Sequence, residues 1–372
     1  MGKTGKKIAA MLSLLVIGST LFAGTYSSKM NPLDVRAAGD AVASWQIAHF
    51  AEFKHKANDW TNGALYRGLY EWADLQGEEE IIDFMMEIGK KINWSLGSRP
   101  FHADDMTAGQ TFILLSERKN NPKIMQPTLE RAYYVANHPS KDVLSKRDKK
   151  GGAGTRWSWC DALFMAPPVY AKLYVKTGDP VYLEYLDSEY KACCDSLYDK
   201  DASLFYRDCF KIPLVEENGA RQFWGRGNGW VFGGLALIID ILPEDCPSRE
   251  FYVSLFKEMA ESVLRTQQKD GSWRASLLYP EGYPYPENSA SSFFTYGLAW
   301  GLNRGFIEGR SYEKAVKKGW ESLVGSITPE GKLGYVQKIA GAPGKVAAEQ
   351  TEVYGTGAFL LAASEIYRMV SK

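Results

Sequence analysis

The sequence predicts an all-α fold made of paired helices, and three features carry that expectation. Apolar residues recur at i, i+3, i+4 and i+7 in about twelve segments, the repeat of a one-sided helix. Alternation at period two, the mark of a strand, is almost absent. The helical segments are of two kinds that alternate along the chain: apolar nearly all round, or apolar on one face and charged on the other. An all-round apolar helix must be enclosed, whereas a one-faced helix covers something. An inner ring and an outer ring follow. Six hairpins closed into a toroid would use all the segments; an open superhelix of hairpins is the alternative.

The elements run in order. "AVASWQIAHFAEFK" and "TNGALYRGLYEWADLQ" carry apolar residues at helical spacing. "EEEIIDFMMEIGKKI" has acids at its start and lysines at its end, which suits the helix dipole. "DDMTAGQTFILLSER", "PKIMQPTLERAYYVAN", "WCDALFMAPPVYAKLYVKTG" and "PVYLEYLDSEYKACCDSLY" continue the series. "GNGWVFGGLALIIDIL" and "NSASSFFTYGLAWGLNRGF" are the most apolar, and between them lies the amphipathic "SREFYVSLFKEMAESVLRTQQ". "YEKAVKKGWESLVGSI" and "EVYGTGAFLLAASEIYRMV" complete the set. Short polar turns such as "LQGEEEII" and "KTGDPVYL" lead from an inner to an outer helix. The long connections all lead back from outer to inner, so they gather at one rim, where chemistry is expected. They are rich in Trp, Tyr, Arg and Gly, the makings of a polar and aromatic pocket.

Composition narrows the function. The chain has 372 residues, 45% hydrophobic and 24% charged, with a net charge of zero. No basic stripe or tail invites nucleic acid or an anionic membrane. Aromatic residues reach 13%, including 11 Trp and 21 Tyr. Their flat apolar faces with a polar handle suit sugar rings, although most serve as core. The opening "MGKTGKKIAAMLSLLVIGSTLFAG" has Lys3, Lys6 and Lys7, then an apolar run, then small residues. That is the pattern of a secretory signal peptide, shorter than the about 20 residues of a bilayer span. Residues 1–25 are therefore read as a signal peptide and 26–372 as one catalytic domain. The protein is expected to be periplasmic or secreted. No Cys follows the run to take a lipid, and no later segment would cross a membrane. The five Cys are odd in number and form no CxxC, so buried thiols are expected rather than a zinc site.

Three stretches carry candidate chemistry. In "RWSWCDALFMAPP", residues 156–168, Asp161 lies among Trp157, Trp159, Phe164 and Met165. A helix start favours its anion and desolvation favours its neutral acid. If desolvation prevails, Asp161 is a proton donor; an ordinary N-cap Asp would have the same sequence. In "HADDM", Asp104 and Asp105 also open an inner helix, one of them as a cap. Asp104 could meet Asp161 at the rim and share a proton with it, the usual apparatus of glycoside cleavage. In "FWGRGNGW", Trp224 and Trp230 flank Arg226 in a glycine-rich turn. Arg226 could fork onto a carboxylate between two Trp faces, or the segment could be a tight turn with Trp anchors.

Together these stretches resemble glycoside hydrolase family 105, the unsaturated rhamnogalacturonyl hydrolases. The resemblance runs from "NDWTNGALYRGL" to "YGTGAFLLAASEIY" and is most specific in "WCDALFMAPP" and "FWGRGNGW". It implies an (α/α)6 barrel. It implies that Asp161, two residues after Trp159, is the general acid, and that Asp104, five before Gly109, is the second carboxylate. Trp224, Arg226 and Trp230 match the family's Trp-x-Arg-x-x-x-Trp element, and Trp60 is the nearest match to an aromatic lining the pocket. The chain departs where the family often has histidines. Lys149, Lys150 and "GGAGTR" stand at one such place, and "YRD" at another, with Arg207 as the occupant. Asp105 and Arg207 complete the expected substrate contacts.

The implied substrate is an oligosaccharide with a 4,5-unsaturated uronic acid at its non-reducing end, of pectic, rhamnogalacturonan type. Its enol ether would take a proton at C4 from Asp161, then water at C5. No metal or organic cofactor is required, and a monomer or weak homodimer is expected. The alternatives are an unsaturated glucuronyl hydrolase of other polysaccharides, an inverting hydrolase of saturated glycans, and a non-catalytic glycan-binding protein. An epimerase on a similar barrel would want several pocket histidines, and the chain has only four.

Overall fold

The computed structural model describes residues 26–144 and 154–372. The expected signal peptide, Lys149 and Lys150 lie outside the described residues. Within them, α1 (Pro32–Ala48) leads into α2 (Trp60–Gln76), and α3 (Glu79–Lys91) into α4 (Thr107–Arg118). Next, α5 (Gln126–Asn137) leads into α6 (Ala162–Met165) and α7 (Pro167–Thr177), and α8 (Pro180–Leu197) into α9 (Gly225–Ile241). Last, α10 (Arg249–Thr266) leads into α11 (Asn288–Arg304), and α12 (Arg310–Val324) into α13 (Val353–Val370).

The second member of each pair is inside. The inner helices contact one another in chain order: α2 with α4, α4 with α7, α6 and α7 with α9, α9 with α11, and α11 with α13. Helix α13 then closes onto α2, so the ring is a toroid and not an open superhelix. Outer helices lie against it, α1 on α13, α8 on α7, α10 on α9 and α12 on α11. The two kinds of sequence explain the two rings. In α9 every residue from Gly225 to Ile239 is buried. In α12 only one stripe is, Ala315, Val316, Gly319, Trp320, Leu323 and Val324. Inner helices α2 and α7 stop at Gly77 and Gly178, both left-handed with φ of 75° and 72°. Glycine adopts that conformation without the Cβ penalty, and the chain turns outward there.

The ring closes by backbone-to-backbone approach. A Cβ on Gly68 of α2 would sit 2.1 Å from Gly357 O, and one on Gly357 of α13 would sit 2.2 Å from Ala64 O. Both neighbours are backbone and cannot step aside. Gly357→Ala should therefore cost about 3 kcal/mol. A urea midpoint close to that of wild type would show that the seam gives way more easily than the geometry implies.

Two local differences from the sequence expectation have simple causes. The segment "WCDALFMAPPVYAKLYVKTG" is not one helix but α6 and α7, because Pro167 and Pro168 supply no N–H to the preceding turn. The loop after α8 contains a small antiparallel hairpin, Tyr198–Asp199 with Leu204–Phe205, too short to show as alternation.

Candidate active site

All inner helices begin at one rim, and Asp161 stands there. By position it caps α6, yet its side chain accepts no backbone N–H at the helix start. The capping role is thereby removed. What touches the carboxylate is chemical. The Cys160 thiol donates to Asp161 Oδ2 at 3.6 Å, and Arg207 Nε lies 3.5 Å from the same oxygen. Arg207 is held there by backbone pairing: Cys160 N–H donates to Arg207 O at 2.9 Å, and Trp159 and Asp208 form an antiparallel bridge. Arg207 Nη1 donates to Asp208 Oδ2 at 2.8 Å, while its buried Nε makes no hydrogen bond among the described residues. Burial opposes the Arg207 charge, but facing Asp161 and the bond to Asp208 raise its pKa further, so it remains a cation. The expectation that Asp161 is isolated among oily neighbours is corrected: a guanidinium stands in front of it. Burial pushes the Cys160 thiol well up, so it is no nucleophile.

Asp104 is brought to the same place by a 3-10 turn, Ala103–Met106, ahead of α4. Its N–H donates to His102 Nδ1 at 3.3 Å, and its Oδ2 is 3.7 Å from that nitrogen. The His102 ring lies against Trp159, with centroids 4.7 Å apart. Burial first, and the charge of Asp161 second, push the Asp104 carboxyl up to about 7 from 3.8, with Arg99 and Arg207 opposing. A carboxyl raised in this way by burial and by a neighbouring carboxylate can hold its proton near neutral pH.

Asp105 is not part of this pair. Its oxygens accept from Arg99 N at 2.7 Å and from Arg99 Nη2 at 2.5 Å, and it tethers the preceding loop. As a substrate contact it is corrected to a structural ion pair.

Trp60, at the start of α2, is half-buried and stacks on Tyr354 with centroids 5.2 Å apart. Trp230 is completely buried beneath it, edge-on at 6.0 Å, between Phe164 and Phe293. Trp224 is also enclosed, its Nε1 donating to Gln337 Oε1 at 2.9 Å. Arg226 is 1% exposed. Its Nη1 donates to Gln337 O at 2.6 Å and its Nη2 to Lys338 O at 3.0 Å, with the guanidinium over the Trp224 and Tyr354 rings. Trp224, Arg226 and Trp230 therefore support the site from below and do not face a substrate. The cation is committed to carbonyls, which leaves Arg207 as the guanidinium at the carboxylate pair. Trp159 is 3% exposed and serves chiefly as the platform for His102.

Sequence reasoning missed Gln337 and Tyr354. Tyr354 O–H donates to Gln337 O at 2.5 Å, so three side chains grip one loop. The same loop passes Gly341, where a Cβ would come within 3.5 Å of Arg207 Cζ. No local motif announces Gln337; only its contacts do.

Two curated relatives share most of this chain, both named unsaturated 3S-rhamnoglycuronyl hydrolase. That from Alteromonas sp. (strain LOR) is 34% identical over 98% of this chain and 99% of its own. That from Formosa agariphila is 37% identical over 95% and 96%. A solved structure described as a polysaccharide lyase superposes with a TM-score of 0.83 and 32% identity, covering 92% of this chain and 98% of that one. The profile of Glycosyl Hydrolase Family 88 matches residues 38–370. A closed ring of helical hairpins, a carboxyl pair at its rim and this match over nearly the whole described chain agree: the protein is a glycoside hydrolase and belongs to Glycosyl Hydrolase Family 88, among relatives of the kind that "WCDALFMAPP" and "FWGRGNGW" led one to expect.

Proposed function

We propose that the protein removes a 4,5-unsaturated uronic acid from the non-reducing end of lyase-generated oligosaccharides by hydrating its enol ether. The observation that carries this is Asp104, whose carboxyl is pushed up to about 7 by burial and the neighbouring Asp161, with the Arg207 guanidinium 3.5 Å from Asp161. A proton passes from the pair to C4 of the sugar, through Asp161. Positive charge develops at C5 and the ring oxygen. Water, deprotonated by the ionised pair, adds to C5. The resulting hemiketal opens to a C5 ketone, C1 becomes an aldehyde, and the neighbouring sugar leaves with its oxygen. The Arg207 guanidinium, whose side chain is 28% exposed, receives the uronate carboxylate, and Trp60 offers its open face to the ring. The names of the two relatives favour a 3S-rhamnose as the leaving sugar. Export rests on the charged and apolar opening of the chain, and the N-terminus of the mature protein checks it.

The decisive assay follows the absorbance of the conjugated uronate. Lyase digests of a sulfated rhamnose–uronate glycan, rhamnogalacturonan, pectin and a glycosaminoglycan are compared with the intact polymers. Loss of absorbance on the first digest is expected. A rise on intact polymer would instead mean lyase chemistry, and no change on any digest would leave a binding protein or a hydrolase of saturated glycans.

Arg207→Gln separates binding from proton transfer. A lost charge-assisted bond should raise KM by roughly 10- to 100-fold. Because Arg207 lowers the Asp104 pKa, its removal should also move the alkaline limb of the rate profile to higher pH. A limb that moves down would remove Arg207 from the neighbourhood of the pair.

A further inference from the structure

A cavity of ≈ 450 Å³ opens at the same rim, between the loop entering α11 and the loop entering α13. Its size is that of a small-molecule site. Its walls are mainly apolar, with Tyr283, Pro284, Tyr285 and Val346, and Lys345 and Gln350 supply polar groups. Tyr285 is 58% exposed, yet its ring is not loose: it stacks on Tyr335 at 6.3 Å and 26°. Tyr335 is itself fixed, with a left-handed φ of 55° and its carbonyl accepting from Asn288 N–H at 2.8 Å. An exposed aromatic with a braced face is a platform for a sugar ring. Lys345 is exposed and forms no ion pair among the described residues. Two acids of the neighbouring loop are engaged elsewhere, Glu216 by Ser276 O–H at 2.7 Å and Glu217 by Tyr279 O–H at 3.0 Å.

One loop runs from the cavity to the neighbourhood of the carboxyl pair. Tyr335 and Gly344 border the cavity's wall, Gln337 between them is gripped by Trp224, Arg226 and Tyr354, and Gly341 reaches Arg207. The rest of a chain whose terminal uronate occupies the pair can follow this loop along the rim. We infer that the cavity is a distal subsite for an acidic sugar unit downstream of the cleaved bond, with Tyr285 and Tyr283 against the ring and Lys345 on its carboxylate or sulfate ester. The inference rests on the proposed hydrolysis for its direction, and on the cavity alone for its chemistry.

The test uses unsaturated di-, tetra- and hexasaccharides from a lyase-digested sulfated rhamnose–uronate glycan. Lys345→Ala and Tyr285→Ala should leave disaccharide kcat/KM within about twofold of wild type. On the longer substrates they should lower it about tenfold, through KM. A chemically desulfated tetrasaccharide that loses the Lys345 effect assigns the ammonium to sulfate; one that keeps it assigns the ammonium to the carboxylate. Equal effects at every length, or none, overturn the subsite. If the wild type turns over nothing, calorimetric titration with the tetrasaccharide reads the cavity separately. Weaker binding by the double variant then supports it, and unchanged binding overturns it.

Discussion

Asp161→Asn should lower kcat/KM on an unsaturated disaccharide by at least about 10²-fold, the range for loss of a positioned general acid. The amide keeps the shape of the carboxyl, so the Arg207 segment, paired through backbone to Cys160 and Trp159, stays in place. What disappears is one oxygen acid and one negative charge. That charge is the second cause of the raised Asp104 pKa. The residual activity should therefore show an alkaline limb displaced to lower pH, below about 7. A variant within tenfold of wild type would take the proton donor away from this residue. A limb that does not move would mean that the two carboxyls do not share a proton.

Asp104→Asn should lose activity by a similar factor and gain stability at alkaline pH. The folded-state pKa stands at about 7 against 3.8 for the free carboxyl. Between those values the unfolded chain releases a proton that the native protein keeps, so native stability declines as pH rises. The penalty is complete above pH 7 and absent below about pH 4. Asn carries none of it. With the side chain 19% exposed, the advantage at pH 8 should be about 2 to 4 kcal/mol. It should vanish on acidification, as denaturant melts at pH 8 and pH 4 would record. Equal stability of wild type and variant at pH 8 would show that Asp104 is not strained by its own charge. Loss of activity with gain of stability marks a residue kept for chemistry at the expense of the fold.

The helical toroid was legible because its cause is local and repeated. Each hairpin writes the same contrast, enclosed helix against covering helix, in the spacing of its apolar residues. Gly77 and Gly178 punctuate it at the ends of α2 and α7. Periodicity alone left closure open against an open superhelix, and only the family resemblance implied the closed (α/α)6 barrel, since the approach of Gly68 to Gly357 joins segments almost three hundred residues apart. The sequence also singled out Asp104 and Asp161, because a carboxylate among Trp, Phe and Met needs a reason to be there. The residues alone could not separate Asp104 from Asp105, and only the spacing to Gly109 in the family resemblance favoured Asp104. They are adjacent in the chain, and only the position of Arg99 shows which one is tied down.

The two arginines show the limit most plainly. Arg226 has the richer motif, between two tryptophans in a glycine turn, and Arg207 has none. Both were expected as contacts for a carboxylate, and the structure keeps only Arg207 at the pair because the Gln337 loop, more than a hundred residues later, places two carbonyls against Arg226. By itself the sequence determined the helices, their alternation and the two acids, since these follow from short-range periodicity and from the cost of burying charge. Only the tertiary structure decided that the surroundings of Asp104 push its carboxyl up and that Arg207 is the guanidinium standing at the pair. Those depend on what lies within a few ångströms in space, and Coulomb and hydrogen-bond energies are set by distance there, not by separation along the chain.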